Sequence, residues 1–159
     1  MVSVIIVSYK VKYYIEQVLR SLYRSNQKIE VFVVDNASGD DTIEYLSARY
    51  PDVHYIANSE NVGFGRANNQ ALKLAKGKYV LFLNPDTIVA ERTLEGCVNL
   101  MESDSGVGAI GVRMQYSDGH FAPESRRSVP TPFVSFCKMS GLGRLFPNSK
   151  LFARYHLSY

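Results

Sequence analysis

The stretch Gly77-Lys78-Tyr79-Val80-Leu81-Phe82-Leu83-Asn84-Pro85-Asp86-Thr87 decides the fold of this chain. Tyr79 to Leu83 is a continuous apolar run, too short for a helix, and it halts in Asn-Pro-Asp. Such a run predicts a central strand of a parallel sheet, covered on both faces. Proline ends the ladder and turns Asn84 toward an extended conformation, so Asp86 stands at the strand's carboxyl end. In open α/β sheets, ligands bind at the carboxyl ends of the strands. A carboxylate there suits a divalent cation and, through it, a phosphate. The competing reading is local, because Asn-Pro-Asp is also ordinary turn chemistry that caps a following segment.

Working outward, the same texture recurs. Ser3 to Val7 reads as a buried strand ending in Ser8-Tyr9-Lys10, and Ile15, Val18, Leu19 and Leu22 give a helix over about 12–25. Ile29 to Val34 is a second strand, stopping at Asp35-Asn36-Ala37-Ser38-Gly39-Asp40-Asp41-Thr42, a turn cluster with a helix start behind it. Ile43, Leu46 and Tyr50 line that helix, Pro51 closes it, and Val53 to Ala57 is the third strand. Ala67 to Ala75 marks a helix that Gly77 ends. After the Tyr79 strand come a helix over roughly 91–102, an apolar strand around Val107 to Val112, and a tight turn at Ser117-Asp118-Gly119-His120 with a further short strand nearby. Strands alternating with helices mean βαβ units and a parallel sheet, with the first four strands in the order 3-2-1-4. Ser8-Tyr9, Asp35 and Asp86 then converge on one crevice.

The totals bound what else the chain can be. Its 159 residues suffice for one domain with a real core. The opening run Val2 to Val7 has no basic flank, no cleavage site and too little length to span a bilayer, so no signal peptide or transmembrane helix is expected and the cytoplasm is the default. Cys97 and Cys137 lack metal-ligand spacing and read as free buried thiols. Residues 125–159 hold six basic side chains and no acidic one, against twelve basic and fifteen acidic before them. That change divides the chain into a binding domain, 1–124, and a basic, aromatic connecting segment, 125–159.

Several chemistries drop out. Gly63-Phe64-Gly65-Arg66-Ala67-Asn68 misses the dinucleotide fingerprint, since Asn68 replaces the third glycine and the loop does not follow its strand directly. No Gly-x-x-x-x-Gly-Lys-Ser/Thr occurs, which excludes a P-loop. The glycines still loosen a helix start enough for backbone N–H groups to approach a diphosphate, or they serve only a flexible loop. His54, His120 and His156 are scattered and receive no role, and no RNA-binding signature accompanies the basic tail, so no nucleic-acid partner is expected. Asp35 reads two ways: it accepts hydrogen bonds from a base or a ribose, or it and Ser38 merely cap the next helix. The Phe and Leu residues of the tail suit an anionic membrane surface, but the preferred reading is a segment covering a missing part of the protein.

Val4-Ile5-Ile6-Val7-Ser8-Tyr9, Val33-Val34-Asp35-Asn36-Ala37-Ser38-Gly39-Asp40-Asp41-Thr42, Asn61-Val62-Gly63-Phe64 with Ala67-Asn68-Asn69, and the Gly77–Thr87 stretch, in this order, resemble the family 2 glycosyltransferases with the GT-A fold. The Asn-Val-Gly-Phe and Asn-Pro-Asp-Thr forms, with Arg126-Arg127 and Leu145-Phe146-Pro147, look most like its bacterial rhamnosyltransferase-like branch. The resemblance implies an α/β, Rossmann-like sandwich with a mostly parallel sheet flanked by helices, truncated at its C-terminal side. It implies transfer of a sugar from a UDP, dTDP or GDP sugar to a hydroxyl of a saccharide or lipid-linked saccharide, assisted by Mg²⁺ or Mn²⁺, in cell-surface polysaccharide synthesis. Ser8, Tyr9 and Asp35 would hold the nucleoside, with Asn36, Asn61, Gly63, Asn68 and Asn84 completing the donor site. Asp86 would be the metal ligand, the surviving aspartate of an Asp-x-Asp pair whose first member is Asn84 here. Asn68 also departs from the arginine that many members carry.

Inverting members take their catalytic base from a carboxylate beyond the part of the fold covered here, and the last acidic residue of this chain is Glu124. The expectation is therefore a donor-binding fragment with its base outside the chain. An unfinished apolar surface leaves room for a homodimer, and for peripheral association with the inner face of the cytoplasmic membrane. The competing readings are a non-catalytic nucleotide-binding or protein-interaction domain of the same fold, and a nucleotidyltransferase, which the missing glycines after Ser8-Tyr9-Lys10 disfavour.

Overall fold

The computed structural model describes residues 1–122, 125 and 128–155. Glu124, Arg126, Arg127 and His156, which figured in the sequence reading, lie outside the described residues. The chain forms two compact units, Met1–Gly106 and Val107–Tyr159.

The first unit is a four-stranded parallel sheet. Its elements in order are β1 (Val2–Ser8), α1 (Lys12–Leu22), β2 (Ile29–Asp35), α2 (Thr42–Ser47), β3 (His54–Ala57), α3 (Phe64–Leu72), β4 (Tyr79–Leu83) and α4 (Thr93–Ser103). The strands lie in the order β3-β2-β1-β4, every neighbouring pair parallel, as the alternation of apolar runs and amphipathic stretches predicts. β1 is buried along its whole length, and its alternating side chains feed two cores. Val2, Val4 and Ile6 pack with Val31, Val33 and the apolar stripe of α1, joined by Leu46 of α2 and Leu94 of α4. Ile5 and Val7 pack with Phe32, Val34 and two alanines of α3, Ala67 and Ala71, whose small side chains let that helix lie close on the sheet.

Four expectations need correction. β4 is not covered on both faces. Tyr79, Leu81 and Leu83 join the larger core, but Val80 and Phe82 are 36% and 50% exposed. The reason is position: β4 is an edge strand, and α3 packs on β1 and β2, leaving that face of β4 uncovered. Second, Val107 to Val112 forms no strand. Third, α1 stops at Leu22 rather than near 25, where the chain turns back toward β2. Fourth, Gly77 does not terminate α3, which is already capped at Lys73.

The second unit holds the expected turn. Gly119 adopts φ 85° between an isolated antiparallel bridge of Gln115 and Phe121. It also holds two helices without a counterpart in the sequence reading, α5 (Pro132–Met139), capped by the Thr131 hydroxyl, and α6 (Leu142–Leu145). Both cysteines are free, Cys137 buried and Cys97 partly so.

At the amino-terminal edge of the sheet, one carboxylate gathers three donors. Glu30 Oε1 accepts from the Ser3 hydroxyl at 2.5 Å, the Lys76 N–H at 2.6 Å and the Gly77 N–H at 2.9 Å. Burial pushes the Glu30 carboxyl up, and these hydrogen bonds outweigh it, so the group titrates below its ordinary value of 4.5. A depressed folded value means that its stabilisation is complete above the ordinary value and is lost as pH falls through the folded one. Denaturant titrations across the acid range should therefore show the wild type losing stability below pH 4.5 faster than Glu30→Gln, with the gap between them narrowing toward acid. Parallel curves for the two proteins would remove Glu30 from the account of acid sensitivity.

Candidate functional site

The carboxyl ends of β1, β2 and β4 carry the polar residues that the sequence singled out. Ser8 and Asp35 are register partners across the β1–β2 ladder, so they stand side by side. Both share the side-chain parity of Ile6 and Val33, the face covered by α1 and α2. The Ser8 side chain is fully buried, and its hydroxyl has no hydrogen-bond partner among the described residues. An orphaned buried hydroxyl at a strand end calls for a polar partner, whether a water, an ion or a ligand.

Asp35 is buried, and its carboxylate is engaged by Ser38. Oδ1 accepts from the Ser38 hydroxyl, and Oδ2 accepts from the Ser38 N–H at 3.1 Å. The Ser38 hydroxyl in turn accepts the Lys10 N–H at 2.8 Å, so this serine ties the turn after β1 to the turn after β2. The pair does not cap the next helix, since α2 starts behind Asp41 with no side-chain cap; Asp35 instead holds Ser38, and its carboxylate keeps further lone pairs for a ligand. Lys10 and Ala37 both adopt left-handed backbone, φ 58° and φ 65°, one in each turn. Non-glycine residues pay for that conformation, and such strain persists where the surroundings enforce it, most often at functional sites. A second clamp joins the same two loops: Lys12 Nζ meets Asp41 Oδ1 at 2.6 Å, and that hydrogen bond raises the lysine above its ordinary value.

Asn36 is the hub of the next layer. Buried, it donates its N–H to the Ser8 carbonyl at 2.8 Å and its Nδ2 to Asn61 Oδ1 at 2.7 Å. Its Oδ1 accepts from Asn58 Nδ2 at 3.2 Å and from the Val62 N–H at 3.0 Å. Asn58 and Gln70 exchange a reciprocal pair of amide hydrogen bonds at 2.9 and 3.0 Å. The loop 58–63 is thereby held between the end of β2 and α3. Gly63, at φ 83° and ψ 159°, sits in a region only glycine tolerates and opens α3 with no side-chain cap, leaving its first-turn N–H groups for a ligand.

Asn84, Pro85 and Asp86 follow β4. The turn closes through the Thr87 hydroxyl, which donates to the Asn84 carbonyl at 2.8 Å. Asn84 and Asp86 are exposed, and no hydrogen bond or ion pair engages the Asp86 carboxylate among the described residues. One free carboxylate beside an amide fits a hard cation that keeps waters and takes phosphate oxygens as its other ligands. No cluster of three acidic, histidine or cysteine side chains exists among the described residues to hold a cation alone. Tyr9 is half exposed, its ring beneath Lys10 Nζ at 5.3 Å.

The structure thus groups Ser8, Asp35, Asn36, Asn61 and Gly63 at one end of the sheet, with Tyr9, Asn84 and Asp86 on the adjoining loops. Asn68 is not part of that group. It is buried within α3 and donates Nδ2 to the Phe64 carbonyl at 2.9 Å. Ser38, Asn58 and Gln70 are the residues that sequence reasoning missed as supports of the site. Only Ser38 had a signal, its three-residue spacing from Asp35. The open groove of about 470 Å³ between Arg20, Tyr23, Arg24 and Tyr50 lies at the opposite end of the strands and takes no part.

Comparisons with known proteins agree with the fold. The chain is 34% identical over 125 residues to the "Putative teichuronic acid biosynthesis glycosyltransferase TuaG" of Bacillus subtilis, covering 75% of this chain and 49% of that one. It is 28% identical over 140 residues to the "Poly(ribitol-phosphate) beta-N-acetylglucosaminyltransferase TarS" of Staphylococcus aureus, covering 84% of this chain and 24% of the relative. The crystal structure of S. aureus TarS 1–349 in complex with UDP-GlcNAc superposes with TM-score 0.67 at 27% identity, over 84% of this chain and 38% of that one. A Pyrobaculum calidifontis mannosyltransferase in complex with GDP-Man and Mn²⁺ gives TM-score 0.60 at 26% identity, over 72% and 35%. The chain spans half or less of the length of each of these proteins. The sequence model of "Glycosyl transferase family 2" matches residues 3–157, and the chain belongs to that family.

Proposed function

We infer that this chain is the donor-binding part of a glycosyltransferase that takes a sugar from a nucleoside diphosphate sugar and passes it to a saccharide or lipid-linked saccharide in cell-surface polysaccharide synthesis. The observation that carries this reading is the pairing of Ser8 and Asp35, with an orphaned buried hydroxyl beside a buried carboxylate. The nucleoside lies against Ser8, Tyr9 and Asp35, and the diphosphate faces the glycine-opened start of α3 and the loop that Asn36 and Asn61 hold. Relatives solved with UDP-GlcNAc and with GDP-Man and Mn²⁺ support a nucleotide sugar as the ligand class. Asp86, with Asn84 beside it, would hold Mg²⁺ or Mn²⁺. When bound, that ion supplies positive charge to the leaving diphosphate.

No base for the acceptor is assigned among these residues. The reading is of inverting transfer with its carboxylate base outside this chain, in a protein of the rhamnosyltransferase-like branch at the inner face of the cytoplasmic membrane. The chain alone is expected to bind donor without measurable transfer. Titration calorimetry with UDP, dTDP and GDP, with and without Mn²⁺, tests this. One nucleotide should bind, Asp35→Ala should weaken it about ten-fold or more, and Asp86→Ala should abolish the gain from Mn²⁺. Binding indifferent to both changes would sink the assignment.

A further inference from the structure

The second unit carries a helix that is apolar on two sides. Val134 and Cys137 of α5 are buried at 2% and 1% exposure, alongside Ala122 and Ala153, so the inner face of the helix is in use. Phe133, Phe136 and Met139 recur every three residues on another face and are 47%, 60% and 87% exposed. Val129 before the helix and Leu145 and Leu151 after it are exposed as well. A helix apolar beyond its packed face belongs against something apolar.

Charge selects what that is. From residue 125 onward the chain has basic side chains and no acidic one, with Lys138, Arg144, Lys150 and Arg154 all exposed around these apolar groups. A second copy would bring the same uncompensated cations together, which disfavours self-pairing through this face. An anionic bilayer surface supplies both apolar contact and negative charge. Eight residues of helix extend only about 12 Å, which suits lying in the interface. Among the described residues no helix is long and apolar enough to cross a membrane.

We propose that the outer face of α5, with Phe133, Phe136 and Met139 as the inserted side chains and Arg144, Lys150 and Arg154 of the following segment as headgroup contacts, docks this chain on anionic phospholipid. This makes specific the membrane-side location in the functional reading above, and it stands apart from donor binding, which is measured separately. The experiment is co-sedimentation of the full chain with vesicles of phosphatidylglycerol and phosphatidylcholine, and with phosphatidylcholine alone. Sedimentation velocity and nucleotide titration run beside it.

The wild type should pellet with the anionic vesicles and remain in solution with the neutral ones, the difference shrinking at high salt. Phe136→Glu with Met139→Glu should weaken vesicle binding about ten-fold or more while leaving nucleotide binding intact. Lys150→Glu with Arg154→Glu should remove the preference for phosphatidylglycerol. All four positions are exposed, so these variants retain the packed core of the unit. Three results would overturn the proposal: equal sedimentation with both vesicle types, no sedimentation with either, or a wild-type dimer that Phe136→Glu with Met139→Glu returns to monomer.

Discussion

Gly77→Ala should destabilise the first unit by about 3 kcal/mol, lowering its melting temperature on the order of 10 °C or more. A methyl group at this position would stand 2.5 Å from Ser3 Oγ, 2.6 Å from the Ser3 backbone nitrogen and 2.9 Å from the Tyr79 carbonyl. Two of those atoms are backbone, and Ser3 is fully buried in β1, paired to Val80 on one side and Glu30 on the other. The contact is relieved only by moving β4 off β1. That movement also breaks the N–H of Gly77 away from Ser3 Oγ at 2.8 Å and from Glu30. Gly65→Ala is the control, because nothing lies within 4 Å of its added carbon and a helical alanine is favoured by up to about 1 kcal/mol. Thermal unfolding of both variants checks the pair. Equal melting temperatures would mean that the β1–β4 approach does not depend on the missing side chain.

The second large effect is expected at Asn36. Alanine there strands the Val62 N–H and removes one of two bonds each from Asn61 Oδ1, which keeps the Gly63 N–H, and Asn58 Nδ2, which keeps Gln70, at a cost of about 2 kcal/mol, and it loosens the loop 58–63. Stability and nucleotide affinity should fall together, the affinity by about ten-fold, since a loosened loop must be reordered on binding. Asn36→Asp keeps the acceptor toward Val62 but loses the donor to Asn61, so it should fall between alanine and wild type. Amide hydrogen exchange at Val62 and Gly63 reports the loop directly. Unchanged exchange in Asn36→Ala, with unchanged affinity, would remove Asn36 from its place as hub.

The fold was largely legible in the sequence. Short apolar runs at Val2–Val7, Ile29–Val34 and Tyr79–Leu83, alternating with amphipathic stretches, leave little besides a doubly wound parallel sheet. The strand order followed from the handedness of the crossovers. That Ser8, Asp35 and Asp86 stand at one end of that sheet was legible for the same reason, since the first two close β1 and β2 and the third follows β4 in the turn. The left-handed backbone of Lys10 and Ala37 was not, because neither residue type announces that conformation. The inward turn of Asn68 escaped as well, since an asparagine one turn into a helix reads equally as a ligand group or as a bond to its own helix. Val107 to Val112 was read as a strand on composition, and composition does not say whether a neighbour offers a ladder.

The sequence by itself determined β1 to β4, the helices between them and the end of the sheet at which their polar residues gather, because local periodicity and turn chemistry act over a few residues. Tertiary structure alone decided that β4 has one bare face, that Gly77 serves a strand-to-strand approach rather than a helix end, and that Ser38 and Asn36 clamp three loops into one site. Those facts depend on contacts between residues as much as 74 positions apart. No window along the chain contains both partners.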